Sequence, residues 1–248
     1  MFQTVQIPPL PVVFSYQFGD LSLGLLHLQL ECPGGNTQGT MPQNDHLFQA
    51  GRFVPAGWMM TNATVRSIMT AVFSDELRAR VEADFGRVVD LLSRKIALKS
   101  ISAEGITAEH MKRSAEFVAD ELRQVGIDAK VVQSRNPDGT PGAWEVIGSK
   151  IVDPQAPTVL LYAHHDVQPV PDPSAWDTDP FVATEVGTRL YGRGSADDGG
   201  GIAIHSGAMK ALGDDLKVNI KVFVEGEEEM GSPSFIPFIE DHRDEFAS

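Results

Sequence analysis

Three short segments combine acidic side chains with histidine or glycine, and these residue types hold metal ions and move protons. The first contains His164 and Asp166, the second is the pair Asp197 and Asp198, and the third is the run EGEEE at 225–229. Imidazole and carboxylate groups suit zinc, manganese or cobalt. A free carboxylate near such an ion can transfer a proton during hydrolysis.

Each segment also has an ordinary interpretation when it is taken alone. A His-x-Asp sequence occurs in turns, adjacent aspartates cap helices, and acidic runs are commonly solvated loops. Three acidic groups at one edge of a sheet repel each other unless cations lie between them. Their combination therefore predicts a site for divalent cations.

The spacing of these residues suggests a role for each. His164 can ligate a metal while Asp166 accepts the other ring N–H and orients the imidazole. Asp197 follows a glycine-rich turn and can bridge two metals through its two oxygens. Because adjacent side chains point in different directions, one of Glu228 and Glu229 can ligate while the other moves a proton.

The elements that carry these segments alternate between helices and strands. Apolar residues recur every three or four positions from Leu77 to Ile96, after the N-cap candidate Ser74, and again between Thr107 and Gly126. Strands are predicted at 130–133, 144–148, 158–163, 190–191 and 219–224, with helices at 200–212 and 234–246. This order predicts an α/β fold with a mostly parallel sheet sandwiched by helices, and the apolar run at 158–163 suits a strand buried on both faces. In such sheets, ligands bind beyond the carboxyl ends of the strands.

The composition excludes several function classes. The 248 residues carry a formal net charge of −14, so a nucleic-acid partner is not expected. No apolar run is long enough to span a bilayer, so no membrane association is expected. The single cysteine, Cys32, can form neither an internal disulfide nor a thiolate metal site, and we predict a cytoplasmic location.

Residues 1–68 differ from the rest of the chain. They contain five charged side chains among many prolines and glycines and show no sustained periodicity. We therefore predict two regions, a low-charge extension at 1–68 and a catalytic region at 69–248. The extension is either a poorly packed segment or the product of a start codon upstream of a true start at Met69.

From about Met69 onward, the chain resembles the co-catalytic zinc exopeptidase family, which includes dipeptidases, acetylornithine deacetylase and succinyl-diaminopimelate desuccinylase. The motifs that carry this resemblance are AHHDVQP at 163–169, Trp176 with DPF at 179–181, LYGRGSADD at 190–198 and EGEEEMGS at 225–232. The sequences of these motifs most resemble those of the cytosolic non-specific and carnosine dipeptidase branch.

The resemblance implies a role for each site residue. His164 and Glu229 would each ligate one of two divalent metals, most simply zinc, while Asp197 would bridge both. Glu228 would be the general base and acid, and Asp166 would support His164. A bridging water would lose its proton to Glu228 and attack the amide of a small peptide. The resemblance also implies a cis peptide bond between the two aspartates, whereas His165 is expected only to fill a variable position and His205 to pack.

Two departures from the family qualify this interpretation. Gly199 stands where the family usually has a lysine after the aspartate pair, which removes a nearby cation. Glu229 lies 19 residues before the last residue, so we expect the family's further acidic ligand, its dimerising lid domain and its last histidine ligand to be absent. Each metal would then have two protein ligands, fewer than the three of a catalytic zinc site. Homodimers are expected only for a version with the lid.

Two other functions therefore stay open beside the dipeptidase. One is an N-acyl amino acid deacylase of the same family, and the other is a catalytically inert fragment.

Overall fold

The computed structural model describes residues 74–246, beginning with helix α1 at Asp75–Ala97. The predicted N-cap is confirmed, since Ser74 Oγ accepts a hydrogen bond from the Leu77 amide at 3.1 Å. The predicted apolar stripe is only partly buried, because Val81 and Phe85 are exposed. The buried face of the helix instead includes Lys95.

Helix α2, Glu109–Gln124, follows the predicted pattern more closely. Met111, Ala115 and Val118 are fully buried along one stripe. Gly126 follows the helix with φ of 83°, a left-handed conformation that glycine adopts without steric cost. The remaining helices are α3 (Gly199–Leu212), α4 (Phe235–Asp241) and α5 (Arg243–Phe246).

Six strands form two sheets within the described residues. The strands are β1 (Asp128–Arg135), β2 (Pro141–Lys150), β3 (Thr158–His164), β4 (Thr184–Val186), β5 (Arg189–Tyr191) and β6 (Asn219–Glu225). The main sheet has the order β1-β2-β6-β3, and β4 and β5 form a separate antiparallel ribbon. Every predicted strand is present, with ends that differ by at most three residues, whereas β4 was not predicted.

The α/β class is confirmed, but the main sheet is mixed rather than mostly parallel in the part of the chain described here. Only β3 and β6 are parallel, whereas β1 with β2 and β2 with β6 are antiparallel. A short turn around Asp138 and Gly139 joins β1 to β2, and so short a connection allows only an antiparallel pair. The prediction that β3 is buried on both faces is also wrong for these residues. The strand lies at the sheet edge, and positions 158–162 are partly exposed.

Helices cover both faces of the main sheet. Alternate residues of β6 point to opposite sides, so Val222 and Val224 enter the core below α1, α2 and α3 while Phe223 enters a second core. Phe238 of α4 stacks on Phe223 in that second core, with ring centroids 5.4 Å apart. The sandwich is therefore closed by α4 and α5 on its second face.

None of the described helices is long and apolar enough to cross a membrane. The predicted extension at 1–68 and the true start proposed at Met69 lie outside the described residues.

Candidate metal centre

The parallel register of β3 and β6 places two of the three predicted segments side by side. His164 at the end of β3 is opposite Glu225 at the end of β6, so the residues that follow each strand leave the sheet at the same edge. The third segment reaches that edge through Asp198, the N-cap of α3. Its Oδ1 accepts from the Gly201 amide at 2.9 Å and its Oδ2 from the His164 amide at 3.3 Å.

The imidazole of His164 lies between acidic groups on both sides. Its Nδ1 is 3.2 Å from Asp166 Oδ1, while its Nε2 is 3.0 Å from Asp197 Oδ1 and 3.8 Å from Glu228 Oε2. Nδ1–H donates to Asp166, and loss of the proton on Nε2 would leave a lone pair that faces the other two carboxylates. This is the arrangement in which a histidine ligates a metal through Nε2.

Asp166 also holds the loop that carries the two candidate glutamates. Its side chain is fully buried, and its two oxygens accept hydrogen bonds from the amides of Glu228 (3.2 Å) and Glu229 (3.1 Å). Burial opposes ionisation of this carboxyl, but the hydrogen bond from His164 and the charge of that ring hold the pKa of Asp166 below its ordinary value. One carboxylate therefore positions residues from two different loops.

The donor groups fit a divalent cation. Ligand atoms of His164, Glu228 and Glu229 all lie within 4.8 Å of one another. Asp197 is not in that group of three, although it contacts His164, and its side chain is 78% exposed. Burial lowers the pKa of His164, but hydrogen bonding to Asp166 and the surrounding negative charge outweigh it and raise the pKa to about 9. The acidic groups thus draw a positive charge to this position, which is what a cation site requires.

Other residues at the site were not identified from the sequence. Gln168 Nε2 donates to Glu229 Oε2 at 2.8 Å and so restrains one of the candidate ligands. The Tyr162 hydroxyl donates to Glu225 at the end of β6. The first contact joins the segments that follow β3 and β6, and the second joins the two strands themselves. The only signal in the sequence was that Gln168 lies within the motif after β3. The peptide bond between Asp197 and Asp198 is cis, as the resemblance implied.

His165 does more than fill a variable position, which corrects the sequence-based expectation. It is fully buried, and its Nε2–H donates to the carbonyl of Trp144 at 2.6 Å. A Cβ on Gly226 would lie 2.8 Å from the same Nε2, so the ring occupies the space beside that glycine. The packing role expected for His205 is confirmed, since it is buried and its Nε2–H donates to Tyr162 O at 2.8 Å.

Comparisons with known proteins find peptidases. Residues 160–247 match the sequence profile described as peptidase family M20/M25/M40. The Beta-Ala-His dipeptidase of Mus musculus is 35% identical over 173 residues, which cover 64% of this chain and 35% of that protein. The Cys-Gly metallodipeptidase of Schizosaccharomyces pombe is 34% identical over 166 residues, with the same coverage of each chain.

The fold leads to the same group of proteins. The structure of human carnosine dipeptidase 1 superimposes with a TM-score of 0.63 at 30% sequence identity, over 68% of this chain and 38% of that one. The chain spans about one third of the length of the relatives that it matches.

Proposed function

We propose that this chain serves in the metal-dependent hydrolysis of small peptides, of the dipeptidase type, since residues 160–247 match the sequence profile of peptidase family M20/M25/M40. The observation that carries the proposal is His164, held at Nδ1 by Asp166 and facing Asp197 and Glu228 with Nε2. Such an arrangement suits the binding of an ion, and the fold is similar to that of a dipeptidase, which supports the proposal.

In this proposal, His164, Asp197 and Glu229 hold two divalent ions. Zinc is the proposed metal, and manganese and cobalt accept the same oxygen and imidazole donors. When bound, such ions supply Lewis-acid polarisation of the amide carbonyl and activation of water.

Glu228 is the proposed general base and acid. Its side chain is 44% exposed, so it can reach both solvent water and a substrate above the sheet edge. It takes a proton from the attacking water and returns that proton to the leaving amine. Asp166 orients His164. It also accepts the hydrogen bond from the Glu228 amide, and so fixes the backbone from which the Glu228 side chain extends.

The proposed substrates are dipeptides, since the relatives are named for the β-Ala-His and Cys-Gly dipeptides. N-acyl amino acids are the alternative substrate class, and a chain that binds ions without turnover is the third possibility. The cytoplasmic location and the lid-dependent homodimer stay predictions.

Hydrolysis by the 248-residue chain tests this proposal. The zinc- or manganese-loaded protein is assayed with β-Ala-His, Cys-Gly, and N-acetyl and N-succinyl amino acids. We expect dipeptide hydrolysis that falls about 10²–10⁴-fold in Glu228→Gln, because a general base contributes about that factor. Glu185→Gln is the control, since Glu185 is exposed on β4 and makes the same charge change away from the site.

The other outcomes separate the alternatives. Preference for the N-acyl substrates would favour a deacylase, and saturable metal binding without turnover would favour the inert chain. Equal rates in Glu228→Gln and the wild type would contradict the role of Glu228.

A further inference from the structure

Lys95 occupies an unusual position for a cation. Among residues 74–246 it is the only buried lysine, with 3% of its surface exposed. It lies on the face of α1 that enters the core, near Leu91 and Ile96. Lysine is almost never fully buried unless its ammonium group has partners, so the contacts of Nζ show what it does there.

Those contacts converge on one backbone carbonyl beside the candidate metal centre. Lys95 Nζ donates to His165 O at 2.7 Å and to Ser100 Oγ at 2.8 Å. The Ser100 hydroxyl in turn donates to the same His165 oxygen at 2.6 Å. The carbonyl belongs to the residue between His164 and Asp166, so α1 is fastened to the backbone from which both of those side chains extend.

The carboxylates near the site help the buried Lys95 side chain to keep its proton. Burial lowers the pKa of Lys95 to about 8, and the carboxylates of Asp166 and Asp198 oppose that shift. Lys95 is therefore protonated at neutral pH and offers N–H donors rather than an acceptor. A charged donor forms a stronger hydrogen bond to a carbonyl than a neutral one.

Gly199, in the first turn of α3, lies beside the stem of the Lys95 side chain. A Cβ at position 199 would lie 2.6 Å from the Gly194 carbonyl oxygen and 3.5 Å from Lys95 Cγ. The Gly194 carbonyl therefore excludes a side chain at position 199, whereas the Lys95 stem would be in ordinary van der Waals contact with it. Gly199 stands where the family usually has a lysine. In this structure the side chain near that position is Lys95, which extends from α1.

We propose that Lys95 is a positioning residue of the metal centre, which fixes His164 and Asp166 by holding the His165 carbonyl between them. This inference rests on the proposed function, because it assumes that His164 and Asp166 serve a bound ion. Lys95 itself touches neither ion nor substrate and acts only through the backbone.

Amide hydrogen exchange in the metal-free chain tests the anchoring step. Lys95→Met keeps an unbranched side chain, shorter by the terminal nitrogen, and removes its charge and donors. We expect exchange at the amides of His165 and Val167 to accelerate at least about tenfold, because both amides lie on the segment that the lysine fixes. Amides in the middle of β6, such as Val222, are expected to keep their wild-type rates, which separates local loosening from global unfolding.

Zinc affinity tests the consequence for the site. We expect Lys95→Met to bind zinc about 10–100-fold more weakly, as with other residues that orient metal ligands. If Lys95 acted only through its charge, Lys95→Met should bind zinc more tightly, because the loss of a nearby positive charge favours the binding of a cation. Lys210→Met is the matched control, with the same charge change at an exposed position of α3, and should change neither exchange nor affinity.

The two measurements keep this proposal separate from the proposed function. If the wild type binds no zinc, the proposed function fails, while exchange still decides whether Lys95 anchors the segment. Unchanged exchange at His165 and Val167, or equal acceleration throughout the chain, would overturn the anchoring role. Zinc affinity equal to or above that of the wild type would overturn the positioning role.

A second variant covers the case in which Lys95→Met does not fold. Ser100→Ala keeps the charge and removes the hydroxyl that links Nζ to the His165 carbonyl. It should accelerate exchange in the same segment by a smaller factor, and wild-type rates there would contradict the proposal.

Discussion

Asp166 is the residue on which the geometry of the site depends most directly. It accepts two backbone amides from the loop after β6 and pairs with Nδ1 of His164, all while fully buried. An asparagine at position 166 has only one acceptor oxygen. Its NH₂ group would replace the second oxygen and would face one of the two backbone N–H donors. Asp166→Asn should therefore lower the free energy of unfolding by about 1–3 kcal/mol, because a buried donor is left without a partner.

Urea unfolding and zinc titration of the same preparation check this prediction. We expect zinc affinity to fall by about 10–100-fold as well, because the orienting partner of His164 is lost. Wild-type stability together with wild-type affinity would show that Asp166 neither holds the loop nor orients the ring. Asp177→Asn, at an exposed position of the loop after β3, is a suitable control.

The ionisation of Glu145 should make the free energy of unfolding depend on pH. The carboxyl is 1% exposed, and burial, together with the charges of Glu225 and Glu227, raises its pKa from 4.5 to about 8. Between these values the folded chain binds more protons than the unfolded chain, so the free energy of unfolding falls as the pH rises from about 4.5 to 8. Glu145→Gln should lack this decline and gain a few kcal/mol relative to the wild type by pH 9.

Unfolding in urea at several pH values between 5 and 9 measures that difference. The glutamine can still accept the hydrogen bond that Glu145 receives from the Gly226 amide. Parallel pH curves for Glu145→Gln and the wild type would mean that Glu145 does not titrate in this range. The exposed Glu185→Gln variant should follow the wild-type curve.

At the residue scale, the sequence could identify the groups that bear chemistry but not the groups that support them. His164, Asp166 and the acidic pair at 228–229 lie at strand ends, where a motif of fixed spacing is readable. Nothing in the sequence marks Lys95, and His165 was expected only to fill a variable position, because the burial of both depends on elements distant in sequence. Only the packing of α1, β2 and β6 around them gives these residues their partners.

At the scale of elements, the turn after β6 is the most sensitive connection. A Cβ on Gly226 would lie 2.6 Å from the Trp144 carbonyl oxygen and 2.8 Å from His165 Nε2. Both neighbours are fixed by their mutual hydrogen bond, so Gly226→Ala should destabilise the fold by about 1–3 kcal/mol, as overpacking in a core does.

Gly86→Ala is the natural comparison in the same unfolding experiment. Gly86 lies inside α1 with nothing within 4 Å of a Cβ, so an alanine there should stabilise by about 0.5–1 kcal/mol. Equal effects of the two substitutions would show that the turn after β6 tolerates a side chain.

The elements themselves were largely predictable, whereas their pairing was not. Local periodicity fixed each of the five predicted strands to within three residues at its ends, but it missed β4, and the one helix predicted at 234–246 is divided into α4 and α5. Strand direction depends on which neighbours meet in space, and the antiparallel β1–β2–β6 arrangement became visible only in the structure. Likewise, the exposure of Val81 and Phe85 reflects where α1 meets the sheet, which the spacing of apolar residues does not encode.

At the scale of the whole molecule, we propose that residues 69–248 fold without the preceding segment. Only five of the charged side chains lie in residues 1–68, and no periodic apolar pattern there calls for burial against the rest. A chain that begins at Met69 should keep its free energy of unfolding within about 0.5 kcal/mol, as a change away from the core does. Urea denaturation of both chains measures this, and a loss above about 1 kcal/mol would show that residues 1–68 contribute to the fold.

The central claim is that the sheet edge around His164 binds a divalent ion, and calorimetric titration with zinc tests it most directly. We predict saturable binding by the wild-type chain, weakened at least about tenfold in His164→Gln because one ligand is lost. His110 lies at the start of α2 and is not among the candidate ligands, so His110→Gln should bind zinc with the affinity of the wild type. Absence of saturable binding, or equal affinity in the wild type and His164→Gln, would contradict the claim.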